Sequence, residues 1–148
     1  MSGYSNVTFD EIEIGATASA ERVVGQTEIE ALLLVSGDVV PFNLVEGVTV
    51  EPSDLCVEAV AAEAIISGML ERRLPGPGTR IVSQQLEFNG VIRVGDLVCA
   101  TVTVREKTAR NRNVLFECTV DAAGETVLRG TVIVEAPHRK ASFPELSR

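Results

Sequence analysis

SDLCVEAVAAEAIISGMLERR, residues Ser53 to Arg73, is the stretch on which the fold turns. Ser53 is a good helix N-cap with Asp54 behind it in the first turn, so the pattern predicts the chain's longest helix, running to about Arg73. Its circumference is apolar nearly all round, which marks a buried helix and not an amphipathic surface one. The small residues Ala59, Ala61, Ala62 and Ala64 let a sheet approach closely.

The sheet is legible downstream of the breaker Leu74-Pro-Gly-Pro-Gly-Thr79. Arg80 to Phe88 reads as a strand followed by Asn89-Gly90. Leu97 to Lys107 places Val98, Ala100, Val102 and Val104 on one face, and Val114, Phe116, Cys118 and Val120 alternate with Glu117, Thr119 and Asp121. A turn at Ala122 to Glu125 leads to a last strand, Thr126 to Ala136, ended by Pro137. Upstream, Phe9 to Gly15 leads into a strand at Ala16 to Val24. Thr27 with Glu30 then forms a capping box for a helix to about Ser36. Val39 to Pro52 reads as loop, and His138 to Arg148 as a short tail. One buried helix and several long antiparallel strands predict an α+β fold in which the sheet wraps the helix. At 148 residues the chain is expected to be one domain, 1–148.

Composition excludes several function classes. The net charge of −8 is unevenly spread: residues 1–72 carry 13 acids and 2 bases, residues 73–148 carry 8 acids and 11 bases. An acidic surface repels phosphate backbones, so no nucleic-acid partner is expected. No apolar window reaches membrane-spanning length and the first residues lack a secretory pattern, so no membrane partner and a cytoplasmic location are expected. Cys56, Cys99 and Cys118 form no C-x-x-C pair and read as buried small hydrophobes. His138 is the single histidine, which rules out a multi-histidine metal site. No metal and no cofactor are expected.

Ser36-Gly37-Asp38, Leu74-Pro-Gly-Pro-Gly-Thr79, Gln84 to Phe88 and Arg93-Val94-Gly95-Asp96, in this order and spacing, resemble the MaoC-like dehydratases, including (R)-specific enoyl-CoA hydratases. The likeness runs from Phe9-Asp10-Glu11-Ile12 to Ala136-Pro137. It is strongest to the hydratase-like domain that precedes phosphate acetyl- or butyryltransferase domains in bacterial fusions. The resemblance implies a hotdog fold, a homodimer or higher homo-oligomer, and acyl-CoA thioester substrates. The family signature S-G-D-x-N-P-x-H appears here as Ser36-Gly37-Asp38-Val39-Val40-Pro41-Phe42-Asn43. Asp38 and Pro41 match; Val40 and Asn43 stand where the family has asparagine and histidine. That aspartate and histidine activate the water added to a trans-2-enoyl thioester. Asn43 can orient a water but has no proton to exchange near neutral pH.

A second departure lies where the family has H-G-M, here Glu58-Ala59-Val60. The resemblance assigns the Ala59 backbone N–H to the thioester oxyanion. Glu58 is either an unfavourable charge beside that oxyanion or a replacement acid/base. Gln84, inside a matching stretch, is a substrate-binding candidate. In the basic run Arg105, Lys107, Arg110 and Arg112, the last two suit a coenzyme A phosphate, against the alternative of a solvated hairpin tip. Three functions stand open: an (R)-specific enoyl-CoA hydratase with a degenerate Asp/His site, a catalytically silent acyl-thioester-binding or structural hotdog subunit, and a hotdog thioesterase that activates water with a lone carboxylate, Asp38 or Glu58.

Overall fold

A computed structural model describes residues 4–35, 56–57 and 59–144. Its elements follow in chain order: β1 (Tyr4–Ser5), β2 (Thr17–Val23), α1 (Gln26–Val35), β3 (Cys56–Val57), α2 (Ala59–Arg72), β4 (Arg80–Phe88), β5 (Ile92–Arg93), β6 (Leu97–Thr108), β7 (Asn113–Ala122), β8 (Glu125–Glu135) and β9 (Ser142–Phe143). The five long strands form one antiparallel sheet in the order β2-β6-β7-β8-β4. The helix that precedes β4 in sequence packs on one face of this sheet, as the α+β reading requires.

The alternating residues supply that face. Val98, Ala100, Val102 and Val104 of β6, Val114, Phe116, Cys118 and Val120 of β7, and Leu128, Val132 and Val134 of β8 are all buried. Ala62, Ile66, Met69 and Leu70 of α2 meet them at spacings of four, three and one, one stripe of a 3.6-residue helix. Each large side chain so buried contributes about 1.5–3 kcal/mol. The opposite face of the sheet is polar, with the Ser19 and Thr101 hydroxyls in contact across β2 and β6.

Five expectations are corrected. The long helix starts at Ala59, not Ser53: Cys56 and Val57 are strand, paired with Arg93 and Ile92, and backbone groups given to a ladder cannot also serve a helix. Nor is α2 buried all round, since Ala64, Glu71 and Arg72 are exposed. The box that opens α1 sits two positions earlier than read. Glu28 accepts from the Gly25 N–H at 3.1 Å, while Glu30 accepts from the Gln26 side chain. Cys118 is buried, and burial pushes its thiol up to about 12, but Cys99 is only half-buried and donates to Glu21 at 3.1 Å.

The fifth correction concerns the tail, which is tied down as far as it is described. Ser142–Phe143 pairs with Tyr4–Ser5. Asn6, 1% exposed, donates to the carbonyls of Pro77 (3.0 Å) and Arg139 (2.8 Å) and accepts from the Ala141 N–H (2.9 Å). One side chain thus joins the first residues, the loop after α2 and the C-terminal segment.

Candidate functional site

The first turn of α2 is the natural starting point. Ala59 is its first residue, so its N–H has no acceptor within the helix and points out of the N-terminal end, where the dipole favours negative charge. β3, two residues upstream, is anchored to β5, which follows β4 after Asn89-Gly90. The helix N-terminus therefore lies at the end of the sheet where β4 finishes.

Gln84 sits midway along β4, opposite Val132 of β8. Its side-chain amide donates a hydrogen bond to the carboxylate of Glu63, which bridges β4 to α2. Glu63 is half-buried and lies one helical turn beyond Ala59. Side chains on a helix lean toward its N-terminus, so Glu63 leans from its own turn toward the first turn of α2. Sequence reading passed over Glu63, although it is the sole charged residue between Ala59 and Leu70 of an otherwise apolar helix, which was the available signal.

Arg110 and Arg112 are elsewhere. They lie in the turn between β6 and β7, at the end of the sheet where Asn113, Glu135 and Arg80 align across three strands. That end adjoins the C-terminus of α2, because the loop after the helix brings Gly78 against Pro137. A helix of 14 residues is about 21 Å long, so the two arginines and Ala59 stand roughly a helix length apart. Arg112 reaches Glu135 at 3.3 Å, and Arg80 reaches the same carboxylate at 2.9 Å. The Arg80 hydrogen bond first, then the positive charges of Arg80 and Arg112, hold the Glu135 carboxyl below its ordinary range. Arg105 pairs with Glu117 at 2.9 Å, and Lys107 donates to the Ile12 carbonyl while lying over the Phe9 ring. Arg110 is the member of the basic run with neither an ion pair nor a side-chain hydrogen bond among the described residues. Asp38, Asn43 and Glu58 lie outside the described residues.

His138, the single histidine, is exposed just beyond β8, again at the far end from Ala59. No imidazole of this chain stands near the start of α2 among the described residues. What the described residues bring to the N-terminal half of α2 and to β4 is a helix N-terminal N–H, a carboxylate and an amide. On the other side of α2, a groove of about 590 Å³ opens between β2, α1 and α2, floored by Val24, Leu32, Ile65 and Met69.

No protein-family model matches the chain. It is 32% identical over 133 residues to the (R)-specific enoyl-CoA hydratase of Rhodospirillum rubrum, covering 88% of this chain and 92% of that one. It is 28% identical over 138 residues to the 3-hydroxybutyryl-CoA dehydratase of Methylorubrum extorquens, covering 92% and 88%. The unliganded R-hydratase PhaJ1 of Pseudomonas aeruginosa superposes with a TM-score of 0.85 at 28% identity, over 99% of this chain and 96% of that one.

Proposed function

Because the chain belongs to the MaoC-like (R)-specific enoyl-CoA hydratase family, a hotdog fold, we propose that it binds acyl-CoA thioesters at the start of α2 while lacking the proton-transfer pair that hydrates enoyl-CoA. The observation that carries the second half is Asn43, which stands where the family signature has histidine. The chain's one imidazole, on His138, is exposed about a helix length away from Ala59 and offers no substitute. Asp38 keeps the family's carboxylate, and Asn43 is left to orient a water without exchanging a proton with it. The Ala59 N–H donates to the thioester oxygen, and Gln84 lines the β4 side of the same space. Arg110 is the arginine left to meet a phosphate of the coenzyme, since Arg112 is held by Glu135.

The test of binding is a calorimetric titration with S-butyl-coenzyme A, a thioether that keeps the coenzyme and the short chain but has no carbonyl to attack. Saturable binding at one molecule per chain is the expected result. Absence of binding at millimolar ligand overturns the acyl-CoA reading.

The assembly belongs to the same proposal. β4 is an edge strand with no partner on its outer side among the described residues, and Val82 and Phe88 on it are 44% and 43% exposed. An uncovered nine-residue edge invites another strand, and a second copy of β4 supplies an isologous one. Light scattering is expected to give at least twice the 15.8 kDa of the chain. Val82→Lys with Phe88→Lys should shift the mass toward the monomer; a wild-type mass of one chain at micromolar concentration contradicts the assembly.

A further inference from the structure

From the groove between β2, α1 and α2, we propose that the chain holds a second ligand, a medium-chain fatty acid with its carboxylate on Arg72 and Arg73. This goes beyond the acyl-CoA reading and does not rest on it. The groove lies across α2 from β4, and its long wall is α2 itself, from Ala61 in the first turn to Arg73 just past the last. That run is about 18 Å at the helical rise of 1.5 Å per residue. Small side chains from all three elements leave it open: Ala20 of β2, Ala31 of α1, and Ala61, Ala64 and Gly68 of α2. Its floor of Val24, Leu32, Ile65 and Met69 is apolar, and about 590 Å³ is the volume of a small-molecule site.

Two observations say what the groove takes. The first is Gly68. A glycine inside a helix is destabilising relative to alanine, and a positive φ or a close backbone approach is the usual reason to keep one. Neither holds here. Beyond the helix's own turns, a Cβ at Gly68 would meet only the Arg72 guanidinium, at 3.6 Å, among the described residues. The missing side chain therefore leaves room in the groove and beside that guanidinium. The second observation is charge. Five ionic side chains line the groove: Glu21, Arg22, Glu28, Arg72 and Arg73. Arg22 and Glu28 pair at 3.2 Å. Glu21 alternates with Arg22 along β2 and accepts from Cys99 on the other face of the sheet. Arg73 donates to the Ser19 carbonyl at 3.1 Å, and Arg72 has neither an ion pair nor a side-chain hydrogen bond among the described residues. Two positive charges thus stand open at one end of an apolar trough, on a chain of net charge −8. The α2 C-terminus carries only about half a negative charge, so the two guanidiniums leave that end attractive to a carboxylate. A carboxylate on an alkyl chain meets both features. A small anion would leave the trough empty, and a neutral lipid would leave the arginines unmet.

The experiment titrates decanoate into the protein by calorimetry, with decanol as the neutral chain of equal length and S-butyl-coenzyme A as competitor. The expected result is saturable binding of one decanoate per chain, about tenfold or more weaker binding of the alcohol, and no displacement by the thioether. Arg72→Gln should weaken decanoate about tenfold or more, because a charged hydrogen-bonding partner of the carboxylate is lost. Arg129→Gln, exposed on the other face of the sheet, should leave the affinity unchanged. Gly68→Leu places a side chain in the groove and should abolish binding, with the fold checked by circular dichroism. If that variant does not fold, Arg72→Gln and the alcohol decide alone. The proposal is overturned by a wild type that does not bind decanoate, by equal affinity for the alcohol, or by wild-type affinity in Arg72→Gln or in a folded Gly68→Leu. Displacement by the thioether also overturns it, since the fatty acid then occupies the thioester site.

Discussion

The double substitution Asn43→His with Val40→Asn is expected to raise the rate of crotonyl-CoA hydration by about two orders of magnitude or more. A positioned acid/base group contributes typically 10²–10⁴-fold, and this change restores one to a chain that already carries Asp38. The second substitution returns the signature asparagine between the two. Adding Asp38→Asn to that background should abolish the gain, because a water-activating pair acts as a unit and its members are not additive. Enoyl absorbance, followed with the fold checked by circular dichroism, gives the readout. A double variant that folds, binds the thioether and gains nothing means that loss of the histidine is not what limits hydration.

Gly130→Val is expected to cost about 3 kcal/mol or more and to lower the melting temperature by roughly 10 °C, at about 2–4 °C per kcal/mol for a chain of this size. The reason is backbone proximity. A Cβ on Gly130 would sit 2.1 Å from the Gln85 carbonyl oxygen and 2.8 Å from the Leu86 Cα, both on β4. Neither is a flexible side-chain end, so β4 itself must move away from β8. Since β4 carries Gln84, the displacement should also weaken thioether binding, and Gly130→Ala should show both effects at smaller amplitude. A differential scan that finds the valine variant as stable as the wild type contradicts the placement of β4 against β8.

The central strands were plain in the sequence because their period is local. Val98 to Val104 and Val114 to Val120 alternate without interruption, and every one of their inward positions is buried. The start of α2 was not legible. Ser53 and Asp54 carry a good local capping signal, yet Cys56 and Val57 are claimed by β5, a partner some 36 residues later. The tail was misread for the same reason, since its hold on the rest comes from pairing with Tyr4–Ser5 and from Asn6, at the other end of the chain. At the site, the signature residues were recognisable as a string, which is how Asp38, Asn43 and Ala59 were singled out. Glu63 required the fold. Its partner Gln84 is 21 residues away, and nothing in either neighbourhood points to the other. Arg112 drew attention by its charge, but its guanidinium is held by Glu135, a contact across two strands.

The central claim is that this chain holds an enoyl-CoA without hydrating it, and one measurement addresses it most directly. Wild-type protein is mixed with crotonyl-CoA and followed by proton NMR, which reports binding through broadening of the crotonyl signals and hydration through appearance of 3-hydroxybutyryl-CoA. The account predicts broadened crotonyl resonances with 3-hydroxybutyryl-CoA forming at least a hundredfold more slowly than with the Val40→Asn, Asn43→His variant. Rapid formation of 3-hydroxybutyryl-CoA by the wild type, matching that variant, would contradict it.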